Sequence, residues 1–239
     1  MIKFNFVLST FNVLRFSKMF LKILSLSCYV IILFSCSSKM YLSESNRQSI
    51  KSELLNMVET DQIAANPRQG KYKSYNTDKW KAFKDSVFTS HKQKLEIYYK
   101  KYGFLGFDKV GKEGSKHFWL LVQHCDEFPS FQKRILKDMD KEVRKENALS
   151  QDFAYLYDRV QINSNKKQKF GTQVEYEFET TGRAFPKNGL VDSVNIDAIR
   201  SKYGLSSLKD YLNLMTTMHF EMNKDRYIKM GINSPNLYH

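Results

Sequence analysis

The sequence predicts a mainly helical domain with one β-hairpin inserted before the last helices. Three observations carry that expectation. Apolar residues recur at three- and four-residue spacing over 44–64 and 77–102, the helical period. The 4 prolines and 10 glycines are few, and most gather near 66–70, 103–114, 182–189 and 231–235, which marks loops. In DRVQINSNKKQKFGTQVEYEFE, from Asp158 to Glu179, two short alternating segments flank a polar turn, which is hairpin patterning.

The chain starts with residues that precede any fold. Residues 1–36 carry Lys3, Arg15, Lys18 and Lys22 and no acid, then the apolar run ILSLSCYVIILFSC. A basic region followed by an apolar one is the pattern of an export signal. Ser35 before Cys36 resembles the cleavage site of bacterial lipoproteins, whose cysteine is acylated and becomes the new N-terminus. The run falls short of the roughly 20 apolar residues of a spanning helix. Met19 opens a stretch that is complete as a signal by itself. Residues 37–45 read as a polar tether and 46–239 as a single, mainly helical domain. Membrane lipid, held through Cys36, is thus an expected partner. Ser37 and Ser38 lack the aspartate of inner-membrane retention, so the expected location is the bacterial cell envelope, lipid-anchored at the outer membrane.

Within the domain, Ile50, Leu54, Met57 and Val58 set the stripe of the first helix, which extends onto Asp61 with Gln62 beside it. A carboxylate on an apolar face implies a partner, because burying a lone charge is costly. The second helix, about 77–102, carries Trp80, Phe83, Val87, His91, Leu95, Tyr98 and Tyr102 on one stripe, and Gly103 suits its C-cap. A Gly-punctuated loop, GFLGFDKVGKEGS, follows. The third helix, KHFWLLVQHCDEF, is apolar nearly all round and then polar at Gln123, His124 and Asp126, so its end meets solvent or a pocket. Pro129 starts a fourth, outer helix, and Ser150 caps a fifth, SQDFAYLYDRV. In the expected hairpin, Val160 and Ile162 face the helices. On the return strand Gln168, Phe170 and Thr172 share one face, and Gly171 opens a gap beside Gln173. Helices near 195–203 and 206–223 close the chain, parted by Gly204.

The formal net charge is +13, and four of the 38 Lys and Arg residues lie in the signal, which leaves a mature chain near +9. A basic surface suits anionic headgroups or acidic polymers. No compact basic block occurs, so no nucleic-acid partner is expected. Cys28 leaves with the signal and Cys36 is acylated, so Cys125 has no disulfide partner and reads as a buried, inert thiol.

The residues singled out for chemistry are polar groups on apolar faces or at the ends of buried elements. His124, His91, Asp61 and Asp158 are the catalytic candidates. Gln62, Gln123, Arg159, Gln168, Thr172 and Gln173 are the binding candidates. A domain of this size does not readily bury so many unpaired polar groups singly. No metal site and no cofactor is expected, since ligand spacing is lacking and no P-loop, G-x-S-x-G or H-E-x-x-H motif occurs.

These residues fall in segments that resemble an uncharacterised bacterial domain family. The marks are Asp61-Gln62, then YGFLGFDKVG, LLVQHCD, AYLYDRV, QKFGTQ, and RSKYGL from Arg200, in that order. The resemblance covers about 50–215, with Leu105 and Phe170 standing where that family often has Pro and Tyr. It adds Arg200 to the binding candidates and implies no mechanism.

Three functions fit these residues. A binding or accessory role, with a polar pocket for an unknown small molecule or peptide, is favoured by the many amides. A hydrolase-like enzyme would use His91 or His124 as acid or base, oriented by Asp61 or Asp158. Arg159, Gln123 and Gln173 would then hold an anionic or amide-bearing substrate. A purely structural polar network is the third reading.

Overall fold

The computed structural model describes residues 42–239. The export signal, the acylation at Cys36 and the part of the tether as far as 41, all expected from the sequence, lie outside the described residues. Helix α1 (Glu44–Ala65) begins where the Ser43 side chain accepts the Asn46 amide, 3.3 Å away. A short 3₁₀ turn (Gly70–Ser74) leads to α2 (Thr77–Tyr102), capped by Asn76, whose side chain accepts the Lys79 amide at 2.8 Å. Gly103 ends α2 with φ +76°, a conformation a side chain would resist.

Helix α3 (Phe107–Gln123) starts earlier than its apolar stripe suggests. Phe107–Val110 form a first turn, Gly111 breaks it with φ +70°, and the helix resumes. It also ends earlier. His124 is its C-cap, and the chain turns sharply through Cys125 to Phe128 before Pro129 opens α4 (Pro129–Arg144). Helix α5 (Ser150–Ile162) follows. Strands β1 (Val174–Tyr176) and β2 (Ala184–Pro186) make one antiparallel hairpin, with Glu175 paired to Phe185. Helices α6 (Ile196–Ser201), α7 (Leu208–Met222) and α8 (Lys224–Lys229) complete the chain.

The mainly helical architecture with a single hairpin before the final helices is therefore as expected, but the hairpin sits further along the chain. Val160 and Ile162, expected in a first strand, continue α5. Phe153, Leu156 and Val160 form a helical stripe that is buried in the core, and this packing outweighs the β-preference of two branched residues. The segment expected as the return strand, Gln168–Gln173, is a loop whose one ladder contact is an isolated bridge from Gln168 to Leu190.

The described residues fall in one compact unit. Helix α1 packs on α3 and α2, α4 packs on α5, and α7 covers the hairpin. The main core gathers Leu54 and Leu95 with Phe118, Leu121, Ile135 and Leu156. A smaller cluster of Ala184, Tyr211 and Leu212 fixes the hairpin to α7. Among the described residues no helix is long and apolar enough to cross a membrane.

Candidate functional site

Three helices bring Asp61, His91 and His124 together. Ile50, Leu54, Met57, Asp61 and Ala64 form the buried stripe of α1, so the helical period itself carries the carboxylate inward. Val87, His91 and Leu95 do the same on α2. His124 enters from the end of α3, where the chain leaves the helix.

Asp61 Oδ2 lies 2.7 Å from His124 Nδ1. Gln62 donates Nε2 to the same oxygen at 3.2 Å. The other oxygen, Oδ1, is 3.9 Å from His91 Nδ1, too far for a hydrogen bond, and both atoms are buried without a partner. Burial pushes the Asp61 carboxyl up, but His124 and then His91 pull harder and hold it below the usual aspartate value. An ionised carboxylate only accepts, so His124 Nδ1 is the donor. Whenever the ring is neutral, its lone pair is therefore on Nε2.

The His124 ring is partly exposed and lines an open cleft of about 280 Å³. Phe88 lies against the ring with centroids 5.8 Å apart. Lys84, Asp85, Asp126, Glu127 and Arg159 border the same cleft.

Asp126 and Arg159 form the polar wall. Arg159 grips Asp126 as a fork, Nε to Oδ1 at 2.9 Å and Nη2 to Oδ2 at 2.7 Å. Asn163 and Gln132 also donate to Asp126, at 2.7 and 3.1 Å. Burial raises the Asp126 carboxyl, but Arg159 and the two amides outweigh it and leave it below its usual value. Arg159 Nη1 reaches Gln173 Oε1 at 3.4 Å, which links the loop before the hairpin to the cleft wall.

The remaining candidates form a separate framework. Asp158 is fully buried and points away from the histidines into the Gln168–Gln173 loop. It accepts the amides of Lys169, Phe170 and Thr172, at 2.8, 3.1 and 2.9 Å, and the Thr172 hydroxyl at 3.0 Å. Burial lifts its carboxyl above the usual value even against those donors. An orienting role for Asp158 beside a histidine is thus replaced by a loop anchor. Gln168 spans the same loop, donating to Gln173 O and Lys187 O and accepting the Gln173 amide. Arg200, 1 % exposed, donates to Phe170 O and Ser206 O. The Tyr211 hydroxyl donates to Thr172 O at 2.6 Å. Gln123 is buried on α3 facing α5, and with its amide oxygen and nitrogen exchanged the oxygen comes within hydrogen-bond reach of Leu156 N and Trp119 Nε1.

Of the sequence candidates, then, His124 and Arg159 line the cleft, Asp61, His91 and Gln62 stand behind His124, and Gln173 reaches Arg159. Asp158, Gln123, Gln168, Thr172 and Arg200 hold the frame behind the cleft. Sequence reasoning passed over Asp126, Phe88, Lys84 and Glu127 as site residues. Asp126 alone carried a signal, as part of the abrupt polar end after Val122. Cys125 is buried beside the site with its thiol pushed up to about 12 by burial and by Asp126, so it stays protonated and unreactive. Among the described residues no group of three His, Cys, Asp or Glu side chains is placed to hold a metal ion.

The model of a family of unknown function (DUF6624) matches residues 48–221. No curated protein and no solved structure matches the sequence.

Proposed function

The chain belongs to that family, and from the cleft geometry we propose that it is an acid–base hydrolase of the bacterial envelope, carried on a lipid anchor at Cys36. The single observation behind the catalytic part is the 2.7 Å contact between fully buried Asp61 and cleft-lining His124. A carboxylate behind an imidazole fixes its tautomer and stabilises the imidazolium that forms when it takes a proton.

The residues lining the cleft include no Ser, Thr, Cys or Tyr, and in this reading the nucleophile is water. His124 Nε2 takes a proton from water as the oxygen bonds to an acyl carbon. The imidazolium then returns that proton to the departing oxygen or nitrogen as the acyl bond breaks. Lys84 on the rim supplies a cation for the negative charge that builds on the acyl oxygen. Asp126 and Arg159 neutralise each other, so they shape the wall and leave the ligand's charge to Lys84 and Glu127.

The same lack of a hydroxyl or thiol side chain favours one other reading, a binding pocket in which His124 donates or accepts without bond cleavage. Turnover separates the two. Chromogenic esters and amides are hydrolysed by the full chain and not by His124→Gln if the catalytic reading holds. Nitrogen NMR of the imidazoles is the check that needs no substrate. His124 should carry its proton on Nδ1, and an Nε2–H tautomer would overturn the assignment. For the anchor, labelling with palmitate in a bacterial host should mark the wild-type chain and leave Cys36→Ser unlabelled. Label retained in Cys36→Ser removes the lipoprotein part alone.

A further inference from the structure

Beside the His124 cleft lies a second hollow of about 410 Å³, walled by Gln62, Asn66, Gln69, Lys71 and Tyr72. Tyr72 is the hub of an aromatic group. Its ring centroid lies 4.9 Å from Phe83, 5.4 Å from Tyr75 and 5.7 Å from Trp80, and Trp80 stacks on Phe83 at 5.4 Å. All four rings are only half-buried, and none belongs to either buried cluster of the domain. Large aromatic side chains are usually the first to be drawn into a core. Here four are held together at the water boundary, stiffened by one another.

The polar lining is as selective as the rings. Three amide side chains line this hollow beside Ile63 and Pro67, no carboxylate does, and Lys71 supplies the one charge. Gln62 and Asn66 each spend one donor inside the protein, on Asp61 and on Gln62 O, which leaves Gln69 with both ends uncommitted. Amides both donate and accept, so they read hydroxyl and amide groups and have little to offer an ion. Of the four rings only Tyr72 lines the hollow, with the other three bracing it, and a rigid ring beside amides suits a ligand with one apolar face and a polar edge. Gln62 joins the two hollows. It lines this one and donates to the Asp61 oxygen that also holds His124.

We propose that this hollow is a carbohydrate subsite that takes a neutral, amide-bearing sugar ring of the N-acetylhexosamine type. The acyl bond cleaved at His124 would be one carried on such a glycan. This second statement rests on the catalytic reading of His124; the binding statement does not.

The test is titration of the full chain with the trimer of N-acetylglucosamine, read by the Trp80 indole resonance and by calorimetry. Saturable binding is expected, weakened roughly tenfold or more in Tyr72→Ala, as for other ring-stacking ligands. Gln69→Ala, at an exposed position that leaves the rings intact, should weaken it as well. Tyr72→Phe keeps the stacking ring and should bind nearly as wild type. No saturable shift in the wild type, or a shift that survives Tyr72→Ala and Gln69→Ala together, overturns the subsite. Ester turnover lost in His124→Gln with no trimer binding would sink the sugar assignment and leave the acid–base reading intact. Trimer binding with an Nε2–H tautomer at His124 would do the reverse.

Discussion

Asp158 and Arg159 are neighbours in the chain and serve opposite sides of α5. Asp158 turns inward and takes three backbone amides and one hydroxyl from the loop before the hairpin. Arg159 turns toward the cleft and grips Asp126. The first fixes where the loop runs. The second fixes the turn that carries His124. Gln173 ties the two together, since its backbone belongs to the loop and its side chain meets Arg159.

Asp158→Asn is expected to unfold more easily, by about 2–4 kcal/mol. Asparagine has the same shape, but one of its two ends is an NH₂. That end would face amide donors that now meet an oxygen. Urea unfolding followed by circular dichroism gives the number. A change under about 0.5 kcal/mol would mean that the loop is held by something else.

Gly171→Ala tests the same loop from its other side. Gly171 has φ +68°, and a Cβ there would stand 2.9 Å from Leu208 Cδ1 and 3.1 Å from Leu190 Cδ2. Both backbone strain and the clash act in one direction, so a loss of about 1–3 kcal/mol is expected. The gap expected from the sequence beside Gln173 is thus occupied by side chains of the domain itself. A lowered melting temperature is the outcome expected here, since the positive φ strains alanine and Leu208 and Leu190 already fill the gap.

The sequence was most informative where a helical stripe was long. The 26 residues of α2 carry seven stripe positions and a glycine stop, and its bounds match the expected 77–102. Asp61 was legible as a buried carboxylate in need of a partner, because the α1 stripe passes through it. That the partner is His124, 63 positions on, depends on α1 packing against α3, which no local pattern encodes. The hairpin was misplaced because its strands have only three residues each, too few to alternate visibly. Residue type also misled at Asp158 and Arg200. A buried charge looks the same in a sequence whether it serves a ligand or, as here, a row of backbone groups.

Asp61→Asn should remove a pH-dependent part of the stability. In the folded chain this carboxyl sits below its usual value near 3.8, so the folded form binds its proton less readily than the unfolded form does. The contribution is complete above about 3.8 and fades as pH falls from there through the folded value. At pH 7 the variant should be less stable by about 1–3 kcal/mol, and the two proteins should converge in acid. Unfolding curves at pH 7, 5 and 3 check this. A constant gap across all three would mean that Asp61 is not ionised in the fold. The same variant frees the His124 ring from its acceptor, so the Nε2–H tautomer should appear in its NMR spectrum.

Arg159→Lys separates geometry from charge. Lysine keeps the positive charge beside Asp126 but has one point of contact where the guanidinium has two, and it has no third nitrogen for Gln173. Asp126 and Arg159 are both partly exposed, so little stability is at stake, about 1 kcal/mol or less. The loss should appear in positioning. Asp126 follows His124 by two residues in the turn before Pro129, and a loosened fork lets that turn and the imidazole drift together. Turnover by Arg159→Lys should fall by about tenfold with KM nearly unchanged, since an ångström of displacement at a catalytic group is enough for such a cost. A rise in KM with kcat unaltered would instead make Arg159 a ligand contact. In that case the fork to Asp126 opens when the ligand arrives, and the His124 tautomer should be the same in the variant as in the wild type.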